Sequence, residues 1–270
     1  MTRQRYSIND LLRVMERLRD PEHGCPWDLK QSFATIVPST LEECYELAHA
    51  IEEQDFEHVA EELGDVLFQV IFYSQLGREQ NLFEFEQVVD TLVEKLVRRH
   101  PHVFARGEIE GIVDGDISED DVNANWEAIK QQERGERDQH GILADVPVAL
   151  PALPRAQKLQ KRASTVGFDW PDVEPVIAKL EEEIRELRSA LEADRRAEIE
   201  EEMGDVLFSG VNLARHLKVD AETSLRRASS KFEHRFRRME QLAADTGEHL
   251  TELDDAALDA LWERAKAQLT

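Results

Sequence analysis

Glu43, Glu46, Glu62 and Asp65 form a set of carboxylates whose spacing reappears in Glu183, Glu186, Glu202 and Asp205. In both sets the residues pair at i, i+3, and 16 positions separate Glu46 from Glu62 and Glu186 from Glu202. Residues three apart on a helix share a face and lie roughly 4.5 Å apart along its axis, so each pair presents two carboxylates to one neighbour. Two such helices side by side gather oxygens whose charges repel unless a cation lies among them. A donor set of oxygens suits Mg²⁺ or Mn²⁺ better than zinc or copper. A di-iron bundle would use Glu-x-x-His pairs, whereas the second member of each i, i+3 pair here is Glu or Asp rather than His. A single ExxE is usually an ordinary solvated helix face. Its repetition at fixed spacing beside an apolar stripe favours a metal site.

Cations and an aromatic follow each set in the same order. Lys95 and Arg99 match Lys231 and Arg235, and Trp126 and Lys130 match Trp262 and Lys266. A Lys and an Arg at i, i+4 reach from one helix face and can clamp phosphate oxygens, although a surface ion-pair ladder has the same spacing. The Trp side chains suit either stacking on a base or anchoring a helix. Lys179, one turn before Glu183, adds a possible phosphate contact, and Glu182 or Glu201 could serve as a general base. Neither a Walker loop nor a GxGxxG fingerprint occurs, which removes support for P-loop and Rossmann nucleotide sites.

These groups need a repeated helical frame. Glu61–Phe68, EELGDVLF, and Glu201–Phe208, EEMGDVLF, differ only at Leu63 and Met203 with an offset of 140 residues, which becomes 136 at the Lys/Arg and Trp/Lys pairs. The pattern predicts a tandem duplication with domains at 1–130 and 156–270, joined by a linker over 131–155 that contains Pro147, Pro151 and Pro154. A second loop is expected over Ala105–Asp121. Leu63, Val66, Leu67, Val70 and Ile71, with Met203, Val206, Leu207 and Val211, have the periodicity of a buried helix stripe. A short turn before that helix predicts an antiparallel hairpin, and each copy reads as a bundle of about four helices. Gly64 and Gly204, inside the second helix, are expected to mark a close helix approach.

With 41% hydrophobic and 33% charged residues among 270, the chain can bury a sizeable core, and few Gly and Pro favour an all-α fold. The net charge of −24 disfavours nucleic acid and an anionic membrane as partners. Any anionic ligand needs local cations. No apolar run is long enough to span a membrane, the first residues lack the continuous apolar stretch of a signal peptide, and Cys25 and Cys44 suggest reduced thiols. A cytoplasmic protein is expected.

The doubled EExxE and EE(L/M)GDVLF segments, GCPWD at Gly24–Asp28, RRHPHVF at Arg98–Phe104 and RAQKLQKRASTVGFDW at Arg155–Trp170 resemble the MazG family over nearly the whole chain. The resemblance implies two MazG-like bundles of the all-α NTP pyrophosphatase fold in a homodimer, and Mg²⁺-dependent hydrolysis of NTPs and dNTPs to monophosphate and pyrophosphate with broad base tolerance. It implies Glu183, Glu186, Glu202 and Asp205 as metal ligands and catalytic residues. Lys231 and Arg235 would contact the phosphates, Lys179 and Glu182 would line the nucleotide site, and Trp262 and Lys266 would close it. The C-terminal copy would be the catalytic one, with Glu43, Glu46, Glu62, Asp65, Lys95, Arg99, Trp126 and Lys130 forming a second, silent or active site. The rival readings are a pyrophosphatase for one nucleotide, of the dUTPase or phosphoribosyl-ATP type, and a non-catalytic metal-binding helical dimer.

Overall fold

The computed structural model describes residues 5–112, 118, 122, 125, 129, 141–144 and 146–268, so Trp126 and Lys130 lie outside the described residues. Among the described residues the fold is all-helical, with nine α-helices and no strand. The chain divides into two compact units, Met1–Gln131 and Gln132–Thr270.

The N-terminal unit holds α1 (Ile8–Leu18), α2 (Phe33–Glu53), α3 (Phe56–Glu79) and α4 (Phe85–Arg99). Ser7 and Ser32 start α1 and α2 with capping boxes, each hydroxyl accepting a backbone N–H three residues on. Gln54, in the left-handed conformation at φ 58°, and Asp55, which accepts the His58 N–H, reverse the chain so that α3 packs back along α2. Met15, Ile36, Ile71, Phe72 and Leu76 form the buried core. Arg19, at the end of α1, fastens this core. Its guanidinium makes a bidentate pair with Glu79 at 2.6 and 2.8 Å, donates to the Asp28 carbonyl and lies 5.4 Å from the Phe72 ring centroid.

The C-terminal unit holds α5 (Ala152–Ser164), α6 (Val173–Glu192), α7 (Arg196–His216), α8 (Ala221–Asp245) and α9 (Asp255–Gln268). Its α6–α7 hairpin repeats α2–α3, down to the turn, where Asp194 takes φ 52° at the position equivalent to Gln54. Helix α5 packs across α7 and α8. Helix α9 packs on α8 through Met239, Leu242, Ala243, Leu261 and Ala265.

Several expectations change. Helix α5 begins at Ala152, with Pro151 as its cap, inside the span expected as a linker, of which 131–140 and 145 lie outside the described residues. Pro154 lies in the first turn, where its missing N–H has no intrahelical acceptor in any case. Among the described residues the C-terminal unit has five helices, where about four were expected. The expected buried stripe is only partly buried: Ile71 and Val211 are enclosed, whereas Leu63, Leu67, Val70, Met203 and Leu207 are exposed. Periodicity finds the apolar faces of a helix but not which of them the unit itself covers. Gly64 and Gly204 mark no close approach within the chain, since a Cβ at either would meet nothing within 4 Å.

Candidate functional site

The hairpins bring three carboxylates of each set together. Oxygens of Glu43, Glu46 and Glu62 lie within 4.8 Å of one another, and so do those of Glu183, Glu186 and Glu202. Asp65 and Asp205 stand outside these trios but close enough to act on them electrostatically. Partial burial, then repulsion from Asp65, Glu46 and Glu62, raises the Glu43 pKa; partial burial, then Glu186, Glu183 and Asp205, raises that of Glu202. Both trios are hard oxygen sites in which three carboxylates crowd together, which fits Mg²⁺ or Mn²⁺. In the N-terminal trio, Glu62 is buried and its Oε2 has no hydrogen-bond partner, as expected of an atom shaped to meet a ligand.

The surroundings of the trios differ. Glu62 Oε1 is 2.6 Å from His58 Nε2, one turn earlier on α3. Glu183 instead accepts from Lys179 Nζ at 2.8 Å, and the same ammonium reaches Glu182 at 2.8 Å. Hydrogen bonds to Glu182 and Glu183 push the Lys179 pKa up, keeping it a fixed positive charge. At the position equivalent to Lys179 the N-terminal unit has Ser39, and at that of His58 the C-terminal unit has Glu198.

A cavity of about 620 Å³ opens beside the C-terminal trio, and Lys179, Glu183 and Asp205 form one part of its wall. The rest is largely apolar and aromatic, with Leu159, Phe168, Trp170 and Phe208, plus Gln160, Asp169, Ser209, Asn212 and Arg215. Gln160 donates from Nε2 to the Phe208 carbonyl at 2.8 Å, while its buried Oε1 has no partner. Asp169, just before α6, is gripped by Arg215 and His216, and the Arg215 hydrogen bonds hold its pKa down to about 2. The sequence expectations included none of Gln160, Phe168, Asp169, Trp170, Ser209, Asn212 or Arg215 as site residues. The signal available for some of them was the i, i+4, i+7 stripe of Asp205, Ser209 and Asn212 along one helix.

The other expected site residues lie elsewhere in the unit. None of Lys231, Arg235, Trp262 and Lys266 lines the cavity. Trp262 packs on the α8–α9 cluster with its ring centroid 5.3 Å from that of Phe232, and Lys266 pairs with Glu263 at 2.8 Å. In the N-terminal unit Lys95 and Arg99 are half-buried on α4. A pocket there, of about 100 Å³, lies among α1, α3 and the start of α4, and none of Glu43, Glu46 and Glu62 lines it.

Two carboxylate-bearing helical hairpins in tandem define an all-α protein with a repeated candidate metal centre. Residues 31–104 and 172–239 each match the MazG nucleotide pyrophosphohydrolase domain, and the chain belongs to that family. It is 48% identical over 263 residues to the nucleoside triphosphate pyrophosphohydrolase of Escherichia coli (strain K12), covering 97% of each chain. It is also 48% identical over 259 residues to the nucleoside triphosphate pyrophosphohydrolase/pyrophosphatase MazG of Thermotoga maritima, covering 96% of this chain and 95% of the relative. No helix among the described residues is long and apolar enough to cross a membrane.

Proposed function

We propose that this chain is a cytoplasmic, Mg²⁺-dependent nucleoside triphosphate pyrophosphohydrolase that converts NTPs and dNTPs to monophosphates and pyrophosphate, with the C-terminal unit as the catalytic one. The single observation that carries the choice of unit is the cavity flanking Glu183 and Asp205, which offers a nucleotide space directly beside the carboxylates. Family membership supports the reaction.

Glu183, Glu186 and Glu202, with Asp205 beside them, would hold the divalent ion. When bound, such an ion supplies countercharge to the triphosphate and acidifies water for attack on phosphorus. Lys179 adds a permanent cation at the cavity wall, positioned by two carboxylates and suited to a phosphate oxygen. Water attacks the α-phosphorus, the bond from it to the α–β bridging oxygen breaks, and that oxygen leaves with the pyrophosphate. Glu182, one of the two candidate bases, is weakened as a base, because its ion pair with Lys179 holds its carboxyl below the ordinary range. The roles of Lys231 and Arg235 on the phosphates, and of Trp262 and Lys266 as a closing element, rest on the MazG resemblance.

A homodimer is part of the same proposal. Leu63, Leu67 and Val70 on α3, and Met203 and Leu207 on α7, leave an apolar face open in each unit, which supports assembly through the hairpins. Chromatography of the products from each common NTP and dNTP, with Mg²⁺ present and after chelation, tests the activity. Metal-dependent release of pyrophosphate from several nucleotides is expected. Release of orthophosphate, or use of one nucleotide only, would overturn the reading.

A further inference from the structure

We propose that the C-terminal cavity is the nucleoside pocket and that the side-chain amide of Asn212 is its hydrogen-bond donor to the base. This rests on the pyrophosphohydrolase reading above and adds how the base is held.

Asp205, Ser209 and Asn212 follow one another along a single face of α7 and all line the cavity. Seven residues of helix span roughly 10 Å, so along the cavity wall the stripe runs from the carboxylates, where the phosphates belong, to Asn212. The walls that flank it include Phe168, Trp170 and Phe208, flat rings suited to a base. Asn212 is the polar group at the far end of the stripe, and its orientation is set from behind. Its Oδ1 accepts from Arg215 Nε at 3.1 Å and Nη2 at 2.8 Å, and Arg215 in turn donates to both carboxylate oxygens of Asp169. With Oδ1 engaged by donors, the amide assignment is fixed, and the Nδ2 hydrogens remain for a ligand. Every base carries ring-nitrogen or carbonyl acceptors. A donor at this point therefore holds a base without choosing among bases, which is the chemistry that broad base tolerance requires.

The N-terminal unit supplies the internal control. At the positions of Asp205, Ser209 and Asn212 it has Asp65, Gln69 and Phe72. Gln69 is buried within reach of the Thr40 hydroxyl at 3.4 Å, and Phe72 is 1% exposed in the core. The same helix face that borders a cavity in one unit is filled by side chains in the other. The carboxylates are shared, and what occupies this helix face separates the two.

Calorimetric titration of the full chain with AMP, GMP, CMP and UMP, and separately with Mg-pyrophosphate, tests this. Asn212→Leu should weaken all four monophosphates, and raise KM for the matching triphosphates, about 5- to 10-fold, the loss of one hydrogen bond, while leaving pyrophosphate affinity unchanged. Asn212→Phe, which copies the N-terminal unit, should abolish measurable monophosphate binding and retain pyrophosphate binding. Circular dichroism and the thermal midpoint establish that each variant is folded, and Asn212→Ser is the smaller change to read if the bulky ones are not. Wild-type monophosphate affinity in a folded variant, or a loss confined to one base, would overturn the proposal. A wild-type chain that releases no pyrophosphate would instead overturn the activity, and the monophosphate titrations would still report on the pocket.

Discussion

The two units carry nearly the same carboxylate geometry and differ in what lies next to it. Each gathers three glutamates within 4.8 Å on an α-hairpin with a left-handed turn residue at the same place. One trio is backed by a lysine and flanked by a cavity, the other by a histidine and a filled core. Ligand spacing thus persists while the helix face beside it changes from cavity wall to packed core. A motif of four acids identifies a candidate metal centre, while the neighbouring packing decides whether a nucleotide can reach it.

The largest expected effect tests the filled side. Phe72→Ala should destabilise the N-terminal unit by about 3–5 kcal/mol, the cost of a large core cavity, as measured by urea unfolding. A loss below 1 kcal/mol would mean that the ring does not plug the core. Glu183→Gln should lower pyrophosphate release by more than about 100-fold, whereas Glu43→Gln should leave it nearly unchanged. Equal losses would break the division between units. Asp169→Asn should remove up to about 2 kcal/mol near neutral pH and loosen the cavity wall. The folded-state pKa of Asp169, about 2, lies below its ordinary value of 3.8, so its contribution is complete above that value and disappears as pH falls from about 4 towards 2. The Asn variant should therefore be less stable than wild type near pH 6 and converge with it near pH 2; a constant gap would place the stabilisation elsewhere. The smallest effect concerns the helix glycines. Gly64→Ala and Gly204→Ala should each add about 0.5–1 kcal/mol, because nothing in the chain obstructs a Cβ. Destabilisation, or dissociation seen in sedimentation, would show that these glycines serve a contact between copies.

Much of the frame was legible in the sequence. Helix-period apolar residues and the 140-residue echo located both hairpins, and the i, i+3 spacing forecast the trios. The cavity was not legible, because it depends on Asn212 and Ser209 standing where Phe72 and Gln69 stand in the other copy. Such a difference looks like an ordinary lapse in a repeat until burial distinguishes a wall from a core. Exposure of Leu63 and Met203 was hidden for a related reason: an apolar stripe does not state what covers it. The glycines failed as evidence of close packing because their cost in a helix names no partner.

Arg19 gives the contrast between the units a historical direction. Its guanidinium touches the Phe72 ring while holding Glu79 and the carbonyl of Asp28, so the end of α1, the segment after it and the end of α3 share one fastening. A substitution that reopened space at Phe72 would set a polar or missing side chain among Met15, Ile36, Ile71 and Leu76 and withdraw the surface beneath that cation. Stability would be lost with any such opening of that face. On the proposed division of labour, the core of the N-terminal copy therefore ties the face that borders the cavity in the other copy to its own stability.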